Sequence, residues 1–300
     1  LQAVVSGIME IQAGYARMVL AGGMENMDQA PYLLTGARYG YRMGEGKVYD
    51  ALLTDGLNDA FTDKHSGLIT DEYLVPTYGV TRLEQDEFSV ESHRKAAAAI
   101  DEGRFKAQIV PIPVGKDVIF DTDESVRRDS TVEKLGTLKP AFKADGTITA
   151  GNAPGVNSGA SAMILSTPAL AEQFHLDVFG KVRGYAVAAV DPNMFGIAPI
   201  YAIRAALERA GVSPGDVDLF EVNEAFAAIA IVVQKELGIP ADRLNVNGGA
   251  VALGHPIGAS GAMILTKLLH ELRRTGGKLG VASLCIGGGQ GIALVVENTR

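Results

Sequence analysis

Asn247-Gly-Gly-Ala-Val-Ala-Leu-Gly-His255-Pro-Ile-Gly-Ala-Ser-Gly261 sets one histidine inside a glycine-dense turn that runs straight into a helix, read over 261–274. Two apolar runs follow, 279–285 and 291–296, on either side of Ile286-Gly-Gly-Gly289, and they read as an antiparallel pair of strands. Upstream of the turn the pattern alternates: strand 181–190, helix 199–210, strand 217–222, helix 224–237. Strands alternating with helices define an α/β architecture. At the other end of the chain Leu1, Val4, Val5, Ile8, Met9 and Ile11 recur at helical spacing, and the short apolar strand Met18 to Ala21 delivers Gly22-Gly23, read as a glycine turn. Helix, glycine, strand and Gly-Gly thus occur twice, over 1–23 and 262–288. That order fits two copies of one fold, and it is also what any two α/β units share.

Between these ends, 31–81 lacks sustained periodicity and reads as loops and short helices. Thr81-Arg-Leu-Glu84 carries the capping-box spacing and opens a helix to about Asp101, with Phe88, His93 and Lys95 on or near it. A strand is expected over 109–114 and a polar surface stretch over 117–139. The run of small residues from Thr147 to Ala162 permits a helix to come close.

The 300 residues suit two domains, and 47% hydrophobic with 21% charged residues is enough for a core and far from disorder. A net charge of −8 disfavours a phosphate-tracking surface, so nucleic acid is not the expected partner. One cysteine makes neither an internal disulfide nor a multi-cysteine zinc site, which suits a reducing compartment. No apolar run reaches the length of a membrane span.

Three residues stand where chemistry is plausible. His255 at a bare glycine turn approaches a ligand closely, and an imidazole suits proton transfer; a structural hydrogen bonder in a tight turn fits the same letters. Cys285 ends an apolar strand beside glycine amides able to steady an oxyanion, although a buried free cysteine is often only a small hydrophobe. Asn223, in Asn223-Glu-Ala-Phe226, lies where strand gives way to helix, as an N-cap or as one of the ligand groups that collect at strand ends. His65 lies in the irregular region, and His93, His175 and His270 are assigned no role. Gly254, Gly258 and Gly261 do not have the dinucleotide-binding spacing, which argues against a dehydrogenase.

Taken in order, Asn223-Glu-Ala-Phe, Gly254-His-Pro-Ile-Gly-Ala-Ser-Gly and Cys285-Ile-Gly-Gly-Gly resemble the thiolase family, as do Ala21-Gly-Gly-Met-Glu-Asn-Met, Asp55-Gly-Leu-Asn-Asp-Ala-Phe and Thr149-Ala-Gly-Asn. β-Ketoacyl synthases share the fold but use two active-site histidines and no terminal Cys-x-Gly. The resemblance implies two similar α/β domains, each a mixed five-stranded sheet with helices in αβαβα layering, plus a loop domain. Residues 1–27 and 157–177 would be the remainder of an incomplete N-terminal domain, 28–156 the loop domain that binds CoA, and 178–300 the C-terminal domain.

It also implies reversible Claisen condensation or thiolysis of coenzyme A thioesters, in two stages through an acylated cysteine. His255 would activate that nucleophile and, with Asn223 and a water, line an oxyanion pocket. Cys285 would exchange the proton of the acetyl methyl, and the Gly287 amide would serve a second oxyanion site. His65, Leu57, Arg127, Phe142, Ala150, Phe195 and Phe226 fall where the family contacts CoA. Phe195 favours short acyl groups, while Ser66, Lys134 and Pro154 stand where acetoacetyl-CoA-forming members more commonly carry Met, Ser and Ser. The family nucleophile, in a Cys-x-Ser-Gly turn, would fall about four residues before Leu1. The expectation is therefore a fragment that is inactive alone, with apolar surface uncovered. No permanently bound cofactor and no metal are expected, the partners being CoA and acyl-CoA, with a homodimer or homotetramer in the cytoplasm. A non-catalytic acyl-CoA binder and a β-ketoacyl synthase relative are the alternatives.

Overall fold

Apolar runs without polar alternation form strands covered on both faces. A computed structural model describes residues 1–299. The chain begins with α1 (Gln2–Gln12) and β1 (Met18–Asn26), followed by the short pair β2 (Tyr32–Leu34) and β3 (Val48–Asp50) and a π-helical turn, Leu52–Leu57. Next come α2 (Ser66–Ile69), α3 (Val75–Tyr78), the long α4 (Arg82–Asp101), β4 (Ile112–Pro113), β5 (Ile119–Phe120) and α5 (Val132–Gly136). β6 (Ser158–Ser166) returns to pair antiparallel with β1, and α6 (Pro168–Gln173) leads out of it. The rest alternates as β7 (Gly180–Ala189), α7 (Ala198–Ala210), β8 (Leu219–Val222), α8 (Ala227–Leu237), α9 (Ala250–Leu253), α10 (Ile257–Thr275), β9 (Leu279–Ile286) and β10 (Gln290–Asn298).

The main sheet has the order β7-β10-β9-β8, with β8 parallel to β9 and the other neighbours antiparallel. Side chains alternate across it as a pleat requires. Val281, Ala293 and Val295 face a core with Ile203, Leu207 and Ile229 of α7 and α8, whereas Ala282, Leu284, Ile292 and Leu294 face Leu265 and Leu268 of α10 with Val4, Val5 and Ile8 of α1. α10 also lies against β1 and β6, so α1 and α10 form a layer between two sheets. The far face of the β1–β6 pair exposes Leu20, Met24 and Ile164.

Several expectations are corrected. The sheet has four named strands rather than five; beyond β8, Leu244 makes only an isolated parallel bridge to Phe220. Asn245 follows with φ 44°, which ends any strand after one residue. Gly22-Gly23 is no turn, because β1 runs through both. A Cβ on Gly22 would lie 2.2 Å from the Ser161 carbonyl oxygen and one on Gly23 1.8 Å from that of Gly258, so the glycines allow β6 and the start of α10 to come in. The strand expected over 109–114 shrinks to Ile112–Pro113, since Pro111 and Pro113 offer no amide to a ladder.

The long segment between β1 and β6 is tied to the sheet by buried polar groups. Thr81 caps α4 with the expected box. Arg82 Nε donates to Asp86 Oδ2 at 2.8 Å, Asn152 Nδ2 donates to Asp86 Oδ1 at 3.0 Å, and the amide of Ala227, the first residue of α8, donates to the Asn152 carbonyl at 3.0 Å. Asp71, also buried, accepts from the Thr147 amide and hydroxyl.

Gly23→Ala is expected to destabilise the chain by about 1–3 kcal/mol, the usual cost of overpacking a site that cannot give way. Gly136→Ala, with nothing within 4 Å of the added carbon, should change stability little. Urea unfolding of the two variants checks this; equal midpoints would show that β1 and α10 are not locked together there.

Candidate active site

β8 and β9 pair in parallel with Val222 opposite Ser283, and the Asn223 amide donates to the Ser283 carbonyl at 2.9 Å. Asn223 therefore closes one strand while Cys285, two residues past Ser283, lies at the same end of its neighbour. Strand ends in α/β sheets are where ligand groups gather. The N-cap reading of Asn223 fails: α8 starts at Ala227 with Phe226 as its cap, and the Asn152 carbonyl takes up the first helical amide. The Asn223 side chain, buried, is left free to reach His255.

His255 arrives from the turn between α9 and α10. Gly254 before it has φ 99°, and the His255 amide donates to Asn157 Oδ1 at 2.9 Å. Ser260 Oγ donates to the Pro256 carbonyl at 2.9 Å and lies 2.6 Å from His255 Nδ1, so Nδ1 carries the proton and donates to the hydroxyl. That leaves the lone pair on Nε2, 3.3 Å from Asn223 Nδ2. Burial takes the imidazole down to about 4, which keeps it neutral at physiological pH.

Cys285 is half-buried, and burial pushes its thiol up to about 12 despite an opposing backbone hydrogen bond. Gly287 is exposed, and Gly288 and Gly289 follow with φ of 71° and 83°. A Cβ on Gly289 would meet the Val190 carbonyl at 2.2 Å, so only glycine lets this turn fold back on β7.

A second group forms beside it. The rings of His65 and Phe142 stack with centroids 4.5 Å apart, and Phe142 meets Phe226 edge-on at 6.1 Å. His65 Nδ1 accepts the Gly67 amide at 3.0 Å, and desolvation holds its pKa below the ordinary imidazole value. Three residues predicted to contact CoA, from three distant segments, thus share one wall. Phe195 is packed in the same core cluster as Phe226. Leu57 is half-buried at the end of its π-helical turn, Ala150 and Arg127 are exposed, and none of the three has a hydrogen bond or ring contact to that wall. Arg127 instead donates its amide to His93 Nδ1 at 3.1 Å, which gives His93 a structural place.

Sequence reasoning missed the supports. Glu224, fully buried, accepts from Asn245 Nδ2 at 2.8 Å, Ser92 Oγ at 2.8 Å and the Val251 amide at 3.0 Å. Ser260 lies inside a quoted motif, where a polar residue at a close-packed glycine turn was its only signal; Glu224, with no glycine beside it in Asn223-Glu-Ala-Phe226, and Asn157 and Ser92 carried none. Among the described residues no group of three or more His, Cys, Asp and Glu could hold a metal, and no helix is long and apolar enough to cross a membrane.

Comparison with known proteins agrees over the whole chain. Residues 1–169 match the family described as thiolase, N-terminal domain, and 176–298 that described as thiolase, C-terminal domain. The chain is 52% identical over 300 residues to an acetyl-CoA acetyltransferase of Pseudomonas aeruginosa, covering 99% of this chain and 76% of that one. It is 50% identical over 301 residues to an acetyl-CoA acetyltransferase of Escherichia coli, with the same coverage. In structure it superposes on human mitochondrial 3-ketoacyl-CoA thiolase with a TM-score of 0.96 at 41% identity, covering 100% of this chain and 76% of that one. A complex of that human enzyme with CoA gives the same score and identity, covering 75% of its chain.

The His255 resonances in an NMR titration should stay at their neutral positions from pH 8 down through 6.5 and move only near pH 4. The sign follows from desolvation, which lowers the pKa of a group that is charged when protonated. A midpoint near 6.5 would mean that the ring is solvated.

Proposed function

The chain belongs to the thiolase family, and from that premise we propose that it is an acyltransferase of coenzyme A thioesters, joining two acetyl-CoA into acetoacetyl-CoA and CoA or running the same reaction backwards as thiolysis. One observation carries this reading: the lone pair of His255 Nε2 faces Asn223 at the strand end that also delivers Cys285. A thioester α-carbon is a weak acid, so it needs a base at the methyl group and an electrostatic sink at the carbonyl oxygen. Cys285 first gives its thiol proton to the lone pair of His255 Nε2 and then, as thiolate, takes the methyl proton. The C–H electron pair moves into the enolate, whose oxygen is steadied by His255, now carrying that proton on Nε2, and by a water held on Asn223. The Gly287 amide serves the carbonyl oxygen of the acyl group in the other stage.

In the first stage His255 is the base for a nucleophilic cysteine that carries the acyl group. The one cysteine of these 300 residues is already engaged as acid and base. We therefore read the polypeptide alone as competent to enolise acetyl-CoA but not to complete the double displacement. The second reading is a thiolase-like protein that binds acyl-CoA without turnover; Asn223, His255 and Cys285 together favour the enzyme.

His65, Phe142 and Phe226 form an apolar wall suited to pantetheine, with Leu57 and Ala150 along its course and Arg127 as an exposed cation for the nucleotide phosphates. Phe195 near the acyl end favours short chains. Residues 28–156 are read as the CoA-binding loop domain, between a C-terminal domain of 178–300 and an N-terminal domain built from 1–27 and 157–177. The apolar face of Leu20, Met24 and Ile164 supports a homodimer or a dimer of dimers. A cytoplasmic location is part of the same reading.

Acetyl-CoA incubated with the chain in D2O should exchange its methyl protons faster than in buffer, with Cys285→Ala lowering the catalysed rate by about 100-fold or more. Exchange no faster than buffer, or untouched by that substitution, would favour the binder. Light scattering should return the mass of a dimer or tetramer, and a monomer would remove the oligomer from the reading.

A further inference from the structure

The segment that ends in His65 begins with a loop closed on itself. The Asp59 amide donates to the Lys64 carbonyl at 2.8 Å, the Asp63 amide to the Asp59 carbonyl at 2.8 Å, and Asn58 bridges His65. Asp59 is 9% exposed, and its two carboxylate oxygens face different parts of the molecule. Oδ1 accepts from the Phe61 amide at 3.0 Å, the Thr62 amide at 2.9 Å and the Thr62 hydroxyl at 3.1 Å, the usual aspartate cap of its own turn. Oδ2 accepts from the Gly288 amide at 3.1 Å, across 229 positions of sequence. The Phe61 ring lies against the same glycine, where an added Cβ would come within 3.2 Å of it.

The geometry points to Asp59 as a positioning residue that fixes the glycine turn behind Cys285 and so aims the Gly287 amide. This rests on the reading of Gly287 as an oxyanion donor. Three glycines in a row have no side chains to hold their peptide planes, and two of them have positive φ. A charged acceptor on Gly288 supplies that hold, since a carboxylate makes a stronger hydrogen bond than a neutral oxygen. It also commits the Gly288 amide, so that the exposed Gly287 amide is the one presented to a ligand. Because Leu57 and His65 flank the same loop, the carboxylate joins the stretch read as touching CoA to the reacting end of the site.

Cys285 is the sole cysteine, so alkylation of the chain by iodoacetamide reports this strand end alone and needs no turnover. The rate is measured against pH by intact mass for wild type, Asp59→Asn and Thr62→Val. In Asp59→Asn the turn loosens and water reaches the thiol, and the profile should move to lower pH, with alkylation at pH 8 about tenfold faster for each pH unit of the displacement. Thr62→Val keeps the bond to Gly288 and should follow wild type. A folded Asp59→Asn with a wild-type profile overturns the proposal, and so does a Thr62→Val profile displaced as far, which would make Asp59 only the cap of its own loop. If Asp59→Asn fails to fold, Asp59→Ser takes its place, with a hydroxyl able to cap Phe61 and Thr62 but too short for Gly288. In wild type itself the Gly288 amide hydrogen should exchange more slowly than that of Gly287, and the reverse order also overturns the proposal. Failure of methyl-proton exchange with these results intact would count against Gly287 as an oxyanion donor and overturn the aiming role, leaving Asp59 only as the residue that fixes the turn.

Discussion

The parallel pairing of β8 with β9 is the constraint on which the site depends. It sets Val222 beside Ser283, and the next peptide along β8 hands Asn223 to a neighbouring strand that reaches Cys285 two residues later. Side chains have period two along a strand, so a slip of one residue would turn Cys285 to the opposite face of the sheet. The register is held by burial on both faces: Val281 and Ala282 belong to different cores, and either would be misplaced by a slip.

Bringing a histidine to that strand end requires a long irregular backbone in a dry place, and the buried charges meet that need. Lys267 Nζ donates to Glu221 Oε2 at 2.9 Å and to the Gly248 carbonyl at 2.6 Å. Burial raises the Glu221 pKa and Lys267 opposes the rise. Glu224 has three donors, two of them on the stretch from Asn245 to Val251 that leads to His255. A Cβ on Gly249 would sit 2.1 Å from the Glu224 carboxyl carbon, so the glycine-dense stretch is dense partly because backbone has to pass a carboxylate. A buried charge with full hydrogen bonding fixes one geometry, whereas the same charge half satisfied would cost more than an apolar core.

What the sequence made legible was what depends on local periodicity and on short spacing. The helices read from the apolar spacing of α1, α7 and α10 and the capping box of α4 appear within a few residues of expectation, as do the terminal strands, and the motifs that carry Asn223 and His255 place the two side chains 3.3 Å apart. Glycines were the weak point. Gly22-Gly23 and Gly249 look like turn residues, yet they are needed because another backbone or a carboxylate comes close, a fact of tertiary structure with no local signal. Asn223 looked like a cap for the same kind of reason, since the group that in fact satisfies α8 is the carbonyl of Asn152, 75 residues earlier. Nor can any spacing show that Asp59 reaches Gly288.

The acid–base character of the site follows from one cause. Desolvation lowers an imidazole and raises a thiol, so His255 near 4 and Cys285 near 12 are both neutral at physiological pH. The resting site thus brings no charge of its own on these two groups to the substrate. Once a proton leaves the thiol, the thiolate is a stronger base than an ordinary cysteine, as a carbon acid demands. The negative charge that then forms on the thioester oxygen meets fixed donors in low dielectric, where a hydrogen bond is worth more than in water. His255 can act there only in one tautomer or as its cation, and Ser260, by committing its own proton to Pro256, sets which nitrogen faces the reaction. The hydroxyl, with no contact to a substrate required, decides whether the imidazole begins as a base.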